Sequence, residues 1–473
     1  MVDNELAFTP AFQLHQLIVE KQISPVELTE FFLRRIERLN PNLNAYLTVA
    51  ADQAIDSARK AEVSVQRGES LGPLHGVPIS IKDLVATEGI RTTKGSIIFK
   101  DFVPEEDEVL VRRVRNSGAV ILGKTNTSEF GHLATTENLL GDPCRNPWNT
   151  SYTSGGSSGG AAAGLAAGLH PLAHGSDGGG SIRIPASMCG VYGIKTTQGR
   201  VPRPYSGKGG WGMFSTNGPI SRTVRDAAIL LQVLSGPDST DPTCLQEEPP
   251  DFVASLDHGV DGLNIAWSPQ LGSHPVDPTV LKLTEDAVQV FTSCGGKVEE
   301  IEVHWDHDRL REVFTTIFFS DYAANLGGYS TIPLGKLSPT LRSIVEESRT
   351  WEVSRLVMAL RDLEWHRMMV SELFKRFDLL ITPTLATSAF PIGKRPKRID
   401  GIEVNEYWGF TPFTFPFNMS GNPAASVPCG FTEDLLPVGL HIVGRKGEES
   451  KVLAASAVFE RLRPWSSNRP PGY

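Results

Sequence analysis

The chain has 473 residues, 40% of them hydrophobic and 21% charged. That balance fits a globular protein with one large core or two or three ordinary ones, and it excludes disorder over much of the length. Lys and Arg total 45 against 54 Asp and Glu, so a formal charge of -9 gives no broad electrostatic claim on nucleic acid or on an anionic membrane.

Five scattered cysteines, never spaced as CxxC, read as reduced thiols. The start carries early acids and no basic region ahead of an apolar stretch, and no apolar run reaches the length of a membrane span, so the expectation is a cytoplasmic protein.

Along the chain, "SPVELTEFFLRRIERLNP" predicts a helix, with Ser24 as N-cap, Pro25 in the first turn and Glu27 completing a capping box. A second helical pattern runs from about Val49 to Gln66 and stops near Gly68. "GPLHGVPISIKD" then switches to alternation, with Val77, Ile79 and Ile81 on one face and Ser80 and Lys82 on the other, so a strand should deliver Lys82 at its end. "DEVLVRRVRNSG" reads as helix and "AVILGKTN" as a short buried strand. The Gly and Ala run 159–168 suits a helix packed close against neighbouring backbone.

Further helices are predicted at about 223–234, 277–293, 308–325, 353–376 and 449–462, and strands at "LNIAW", "DLLITPT", "AASVPCG" and "PVGLHIVG". This alternation predicts an α/β fold, one large domain over 1–473 with a central mixed sheet covered by helices on both faces. Residues 1–68 form an N-terminal helical segment in this reading. About 236–376, opening with the polar, proline-rich 236–250, form a helical embellishment over the core.

The chemistry concentrates in "SGGSSGGAAAGLAAGLHPLAHGSDGGGSIRIPAS". A flexible linker is discounted, because apolar segments follow the glycines at once. A phosphate loop is weak, since the GK[ST] ending is missing and no apolar strand precedes. Acyl transfer remains, in two versions. Gly155, Ser157 and Gly159 satisfy G-x-S-x-G, which would make Ser157 the nucleophile of an α/β-hydrolase-like esterase with His441 as base, but polar "RNPWNTSYTS" stands where a strand is required.

In the other version Ser181 attacks, and the amides of Gly178, Gly179 and Gly180 converge on the oxygen that gains charge. No histidine lies in "GSDGGGSIR", with His174 just outside, so the base has to be something else. A neutral lysine can serve if burial lowers it to near 7, a differential of roughly 4 to 5 kcal/mol. Lys82 is the best placed, although an isolated lysine at a strand end ordinarily keeps its amine in water.

These segments, with "GPLHGVPISIKD", "GAVILGKTN", "RNPWN", "CGVYGIKTTQGRVPR", "GNPAASVPCG" and "LPVGLHIVGR", closely resemble the amidase signature family, as a stand-alone amidase. The resemblance spans most of the chain and is weakest at about 236–375. It implies a Ser–Ser–Lys triad in which Ser181 attacks, Ser157 relays the proton after a cis Gly156–Ser157 bond, and Lys82 is the ultimate base. The spacing of Ser157 and Ser181 agrees with the family's. Asp177 and Arg183 would hold the oxyanion loop by a buried salt bridge. Ser158 would support the network or cap the following helix.

The implied substrate is a small amide, anilide, cyclic amide or carbamate, with an acyl-enzyme intermediate and no cofactor or metal. The aromatics Trp408, Phe410, Phe413, Phe415 and Phe417 favour an apolar or aromatic group, although such spacing is as often plain core. His304 and His307 in "HWDHD" lack further ligands at fixed spacing. No nucleic-acid or membrane partner is expected, and a homodimer is compatible with this reading. The main alternative is the amidase-like component of a glutamine-dependent tRNA amidotransferase, which would bring partner subunits.

Overall fold

The computed structural model describes residues 3–203, 212–328 and 332–473. The capping box at Ser24 and Glu27 forms as the sequence predicts and starts the helix Pro25–Leu43, a device that contributes about 1 kcal/mol. After it the chain adds a strand the periodicity did not reveal, Tyr46–Val49, before the helix Ala51–Arg67. The N-terminal 68 residues therefore supply a sheet edge as well as helices.

The described residues form an 11-stranded mixed sheet. Its spatial order is Tyr46–Val49, Val120–Thr125, Pro78–Lys82, Leu172–Asp177, Thr216–Ser221, Tyr192–Lys195, Ala424–Phe431, Pro437–Gly444, Leu379–Pro383, Asn264–Trp267 and Lys297–Glu300. Pairing is parallel around Pro78–Lys82 and again around Asn264–Trp267, with an antiparallel block between them. Helices Pro25–Leu43 and Gly159–Ala166 pack against Pro78–Lys82, and every residue of that strand is buried. Ser80 and Lys82, which alternation places opposite Ile79 and Ile81, therefore find protein on their side too.

Residues 236–253 carry no helix or strand, in keeping with their polar, proline-rich composition. Beyond them come the two strands at the far sheet edge and the helices Pro278–Ser293, His307–Tyr322, Pro339–Ser348 and Val353–Arg376. One continuous apolar cluster runs from Ala7 to Trp465 through all of these elements, so the chain is a single domain.

Candidate active site

Parallel neighbours in a sheet end on the same side, and the crevice beyond their carboxyl ends is where such folds bind ligands. Pro78–Lys82 pairs Ile79 with Leu172 and Ser80 with Ala173 of its neighbour, so the two strands bring Lys82 alongside Ser176 and Asp177. Lys82 Nζ lies 2.8 Å from Ser157 Oγ, 3.0 Å from Ser176 Oγ and 3.2 Å from the Ser176 carbonyl. The side chain is fully buried. Burial pushes the amine down to about 7, with Asp177 opposing the shift and Arg203 adding to it. The solvated lysine that default expectation gives a strand end is not what the fold makes.

Ser157 stands between the cis Gly156–Ser157 bond and the helix Gly159–Ala166. Glycines make that helix fit: a Cβ on Gly160 would lie 2.4 Å from the Ala45 carbonyl oxygen and from the Asn126 nitrogen. Ser158 occupies the N-cap position without capping by its side chain. Its hydroxyl donates to the Ser176 carbonyl at 3.1 Å and accepts from the Ser176 N–H at 3.3 Å. The capping acceptor is Thr136 Oγ1, 3.0 Å from the Gly159 nitrogen. Of the two roles open to Ser158, the network role is the one its contacts support.

Ser181 follows the glycines and is nearly buried, with its carbonyl accepting the Ser158 N–H at 3.1 Å. No hydrogen bond joins its hydroxyl to that of Ser157. Catalytic contacts often close only around a bound substrate. The loop is held from behind by Asp177, whose carboxylate accepts the N–H groups of Gly180 at 2.7 Å and Ile182 at 3.1 Å. Arg183 pairs with the same carboxylate at 3.0 Å, both side chains fully buried.

Burial pushes the Asp177 carboxyl up, but the charge and hydrogen bond of Arg183, with Lys195 and Asn418, outweigh it and hold the group well below the usual carboxylate range. The Gly180 amide is thus engaged with Asp177, whereas those of Gly178, Gly179 and Ser181 meet no protein acceptor among the described residues. Gly180 sits at φ +129°, and a Cβ there would lie 2.5 Å from Thr414 Oγ1, so no side chain fits.

Sequence reasoning missed three residues. Ser176 adds two contacts to the one that Lys82 makes with Ser157; Thr136 fixes the Ser157 turn; Asn418 donates to the Asp177 carbonyl and carboxylate at 3.0 and 2.8 Å. Ser176 lies inside "GSDGGGS", where its hydroxyl next to the acid is a usable signal; Thr136 and Asn418 fall in the stretches 124–138 and 407–421, which the family resemblance places along the substrate pocket, but nothing local marks their particular roles.

His441 receives the Arg183 Nη1–H at 3.0 Å and touches Thr382 through Nδ1, with no bond to Ser157, so the elbow arrangement has no histidine base there. His174 is buried on Asn217. His304 is exposed and His307 opens a helix. Among the described residues, no three His, Cys, Asp or Glu side chains are grouped to hold a metal, and no helix is long and apolar enough to cross a membrane. Phe410 packs on Phe390 and Phe417 on Trp305 and His441, so they and the fully buried Phe413 are core. Trp408 and Phe415 instead join Phe314, at ring distances of 5.0 and 5.3 Å, and Phe314 and Trp408 lie against Gly179.

Known proteins share this sequence and this architecture. A family model described as Amidase matches residues 27–453. The chain is 36% identical to an acylamidase of Rhodococcus erythropolis over 99% of its own length and 98% of the relative's. The crystal structure of a bacterial aryl acylamidase of the amidase signature enzymes superposes with a TM-score of 0.91 at 34% identity, covering 97% of each chain. A glutamyl-tRNA(Gln) amidotransferase component from Thermotoga maritima superposes with a TM-score of 0.77 at 30% identity, covering 93% of this chain and 92% of that one.

Proposed function

Because the chain belongs to the amidase signature family and is a hydrolase of carbon–nitrogen bonds other than peptide bonds, we propose that it cleaves small carboxylic amides as a stand-alone enzyme through Ser181, Ser157 and Lys82. The observation that carries this reading is the setting of Lys82. An sp3 amine that is neutral has two N–H bonds and one lone pair, and Nζ has three polar neighbours. The Ser176 carbonyl can only accept, so it takes one N–H; of the two hydroxyls, which can each donate or accept, one takes the other N–H, and the proposed relay gives that place to Ser176 Oγ. The lone pair can then take the hydroxyl hydrogen of Ser157, the nearer of the two hydroxyls at 2.8 Å.

In the reaction the Ser181 oxygen bonds to the amide carbon as its proton passes to Ser157 Oγ and the Ser157 proton passes to Nζ. The carbonyl oxygen becomes an oxyanion facing the amides of Gly178, Gly179 and Ser181; Gly180 supports the loop by its bond to Asp177. Collapse breaks the C–N bond, and the amine leaves with the proton returned through Ser157. Water then cleaves the acyl-enzyme by the same relay. Asp177, Arg183 and Ser158 position these parts.

The closer superposition on the aryl acylamidase than on the amidotransferase component supports the stand-alone reading. Labelling with a fluorophosphonate followed by peptide mass mapping should place the adduct on Ser181; an adduct on Ser157 overturns the assignment. The purified chain alone should hydrolyse members of a panel of aryl and aliphatic amides faster than glutamine. Activity on glutamine only would favour the amidotransferase reading, with its partner subunits.

A further inference from the structure

The long helix Val353–Arg376 buries one stripe of side chains, Ala359, Leu363, His366, Val370 and Phe374, against the rest of the domain. The opposite face of such a helix is ordinarily polar. Here it carries Met358, Trp365 and Met368, exposed by 56%, 55% and 52%, with Val353 and Val357 extending the same surface. No other described helix carries more than one large apolar side chain exposed in this way. A contiguous apolar surface of this kind marks a contact with another molecule.

The order of the residues along this face says what that molecule is. Met358, Arg361, Trp365, Met368, Glu372 and Lys375 follow one another at steps of 3, 4, 3, 4 and 3, the a and d spacing of helices that pack side by side. The series of steps is the same read from either end. Two copies laid antiparallel about a two-fold axis between Trp365 and Met368 therefore meet layer on layer. Trp365 lies on Met368 of the partner subunit, a favourable sulfur–aromatic contact, and Arg361 lies on Glu372 of the partner subunit.

Charge fixes the direction. A parallel pair would set Arg361 against its own copy and Glu372 against its own copy, whereas the antiparallel pair joins opposite charges twice. Arg361 is exposed and makes no ion pair among the described residues. Glu372 holds Lys375, but both are exposed, so that bond is weak and yields readily to a second cation. The six layers cover about 26 Å of helix, a small contact, and the association should be reversible.

We propose that this face is the interface of a homodimer in which two copies of the helix pack antiparallel, with Trp365 on Met368 and Arg361 on Glu372 across the two-fold axis. The interface does not depend on which amide is cleaved.

Sedimentation velocity of the full chain from about 1 to 100 µM should show a monomer–dimer equilibrium. Trp365→Glu should weaken it about tenfold or more. Arg361→Glu and Glu372→Arg should each weaken it, and the two together should restore it, because the swapped pair is again opposite in charge across the axis. The two positions are about 16 Å apart along one helix, so the restoration has no route within a single chain. A chain that stays monomeric throughout, a dimer that Trp365→Glu leaves intact, or a double variant no tighter than the single ones overturns the proposal. A monomeric chain that sediments with anionic lipid vesicles also overturns it and gives the face to a membrane. All these side chains are exposed, so thermal unfolding should stay near that of the wild type. Should Trp365→Glu destabilise the fold, Met368→Lys takes its place with the same expected loss, and no loss overturns the proposal.

Discussion

Lys82 and Lys195 look alike until their partners are compared. Each ends a strand of the same sheet, each is fully buried, and burial pushes each amine down to about 7. Lys82 reaches two hydroxyls and a carbonyl, whereas among the described residues Lys195 reaches only the carbonyls of Thr196 and Asn422, at 2.8 and 2.7 Å. A hydroxyl can give up its proton and take one back; a carbonyl oxygen can do neither at these pH values. The perturbed amine is therefore common to a candidate base and to a structural tie, and the partner set separates them.

The sharpest break between the two lysines is catalytic. Lys82→Met should lower kcat/KM on an aryl amide about 10²–10⁴-fold, the contribution of a positioned general base, while Lys195→Met should leave most of it; comparable losses in both variants would erase the distinction. The acid behind the loop comes next. Asp177→Asn removes the partner of buried Arg183 and should cost about 3–5 kcal/mol in urea unfolding, because the guanidinium is left uncompensated. Lys195→Met should cost less, about 1–3 kcal/mol, since it orphans two carbonyls rather than a charge.

The smallest effect is the most specific. A base must be neutral to accept, so kcat/KM should rise about tenfold per unit as pH approaches about 7 and level off above it. Lys195→Met should leave this limb in place, and a limb that moves with Lys195 would reassign the base. Stability cannot make this distinction. For either lysine the folded value lies below the unfolded 10.5, so the unfolded chain binds more protons and stability grows with pH between about 7 and 10.5.

Where the sequence followed simple periodicity it was readable. The capped helix at Ser24, the strand ending at Lys82 and the close-packed Gly–Ala helix all form. Three central strands were not readable. Leu172–Asp177, Tyr192–Lys195 and Thr216–Ser221 contain glycines, a proline or polar residues that local preference keeps out of strands. They are strands because neighbours on both sides hydrogen-bond them and the domain buries them, and neither condition is local. The pairing of Thr216–Ser221 with Tyr192 and Gly193 stops at Ile220, beside Pro219.

By itself the sequence determined which residues the site draws on: a lysine at the end of an apolar strand, two serines in glycine loops, and an acid and an arginine around them. Only the tertiary structure decided what those residues are chemically. Ser157 and Ser176 reach Lys82 from 75 and 94 positions away, and Asn418 reaches Asp177 from 241. A proton's affinity for an amine depends on the solvent excluded and the dipoles in contact, and both are assembled by parts of the chain that no local pattern links.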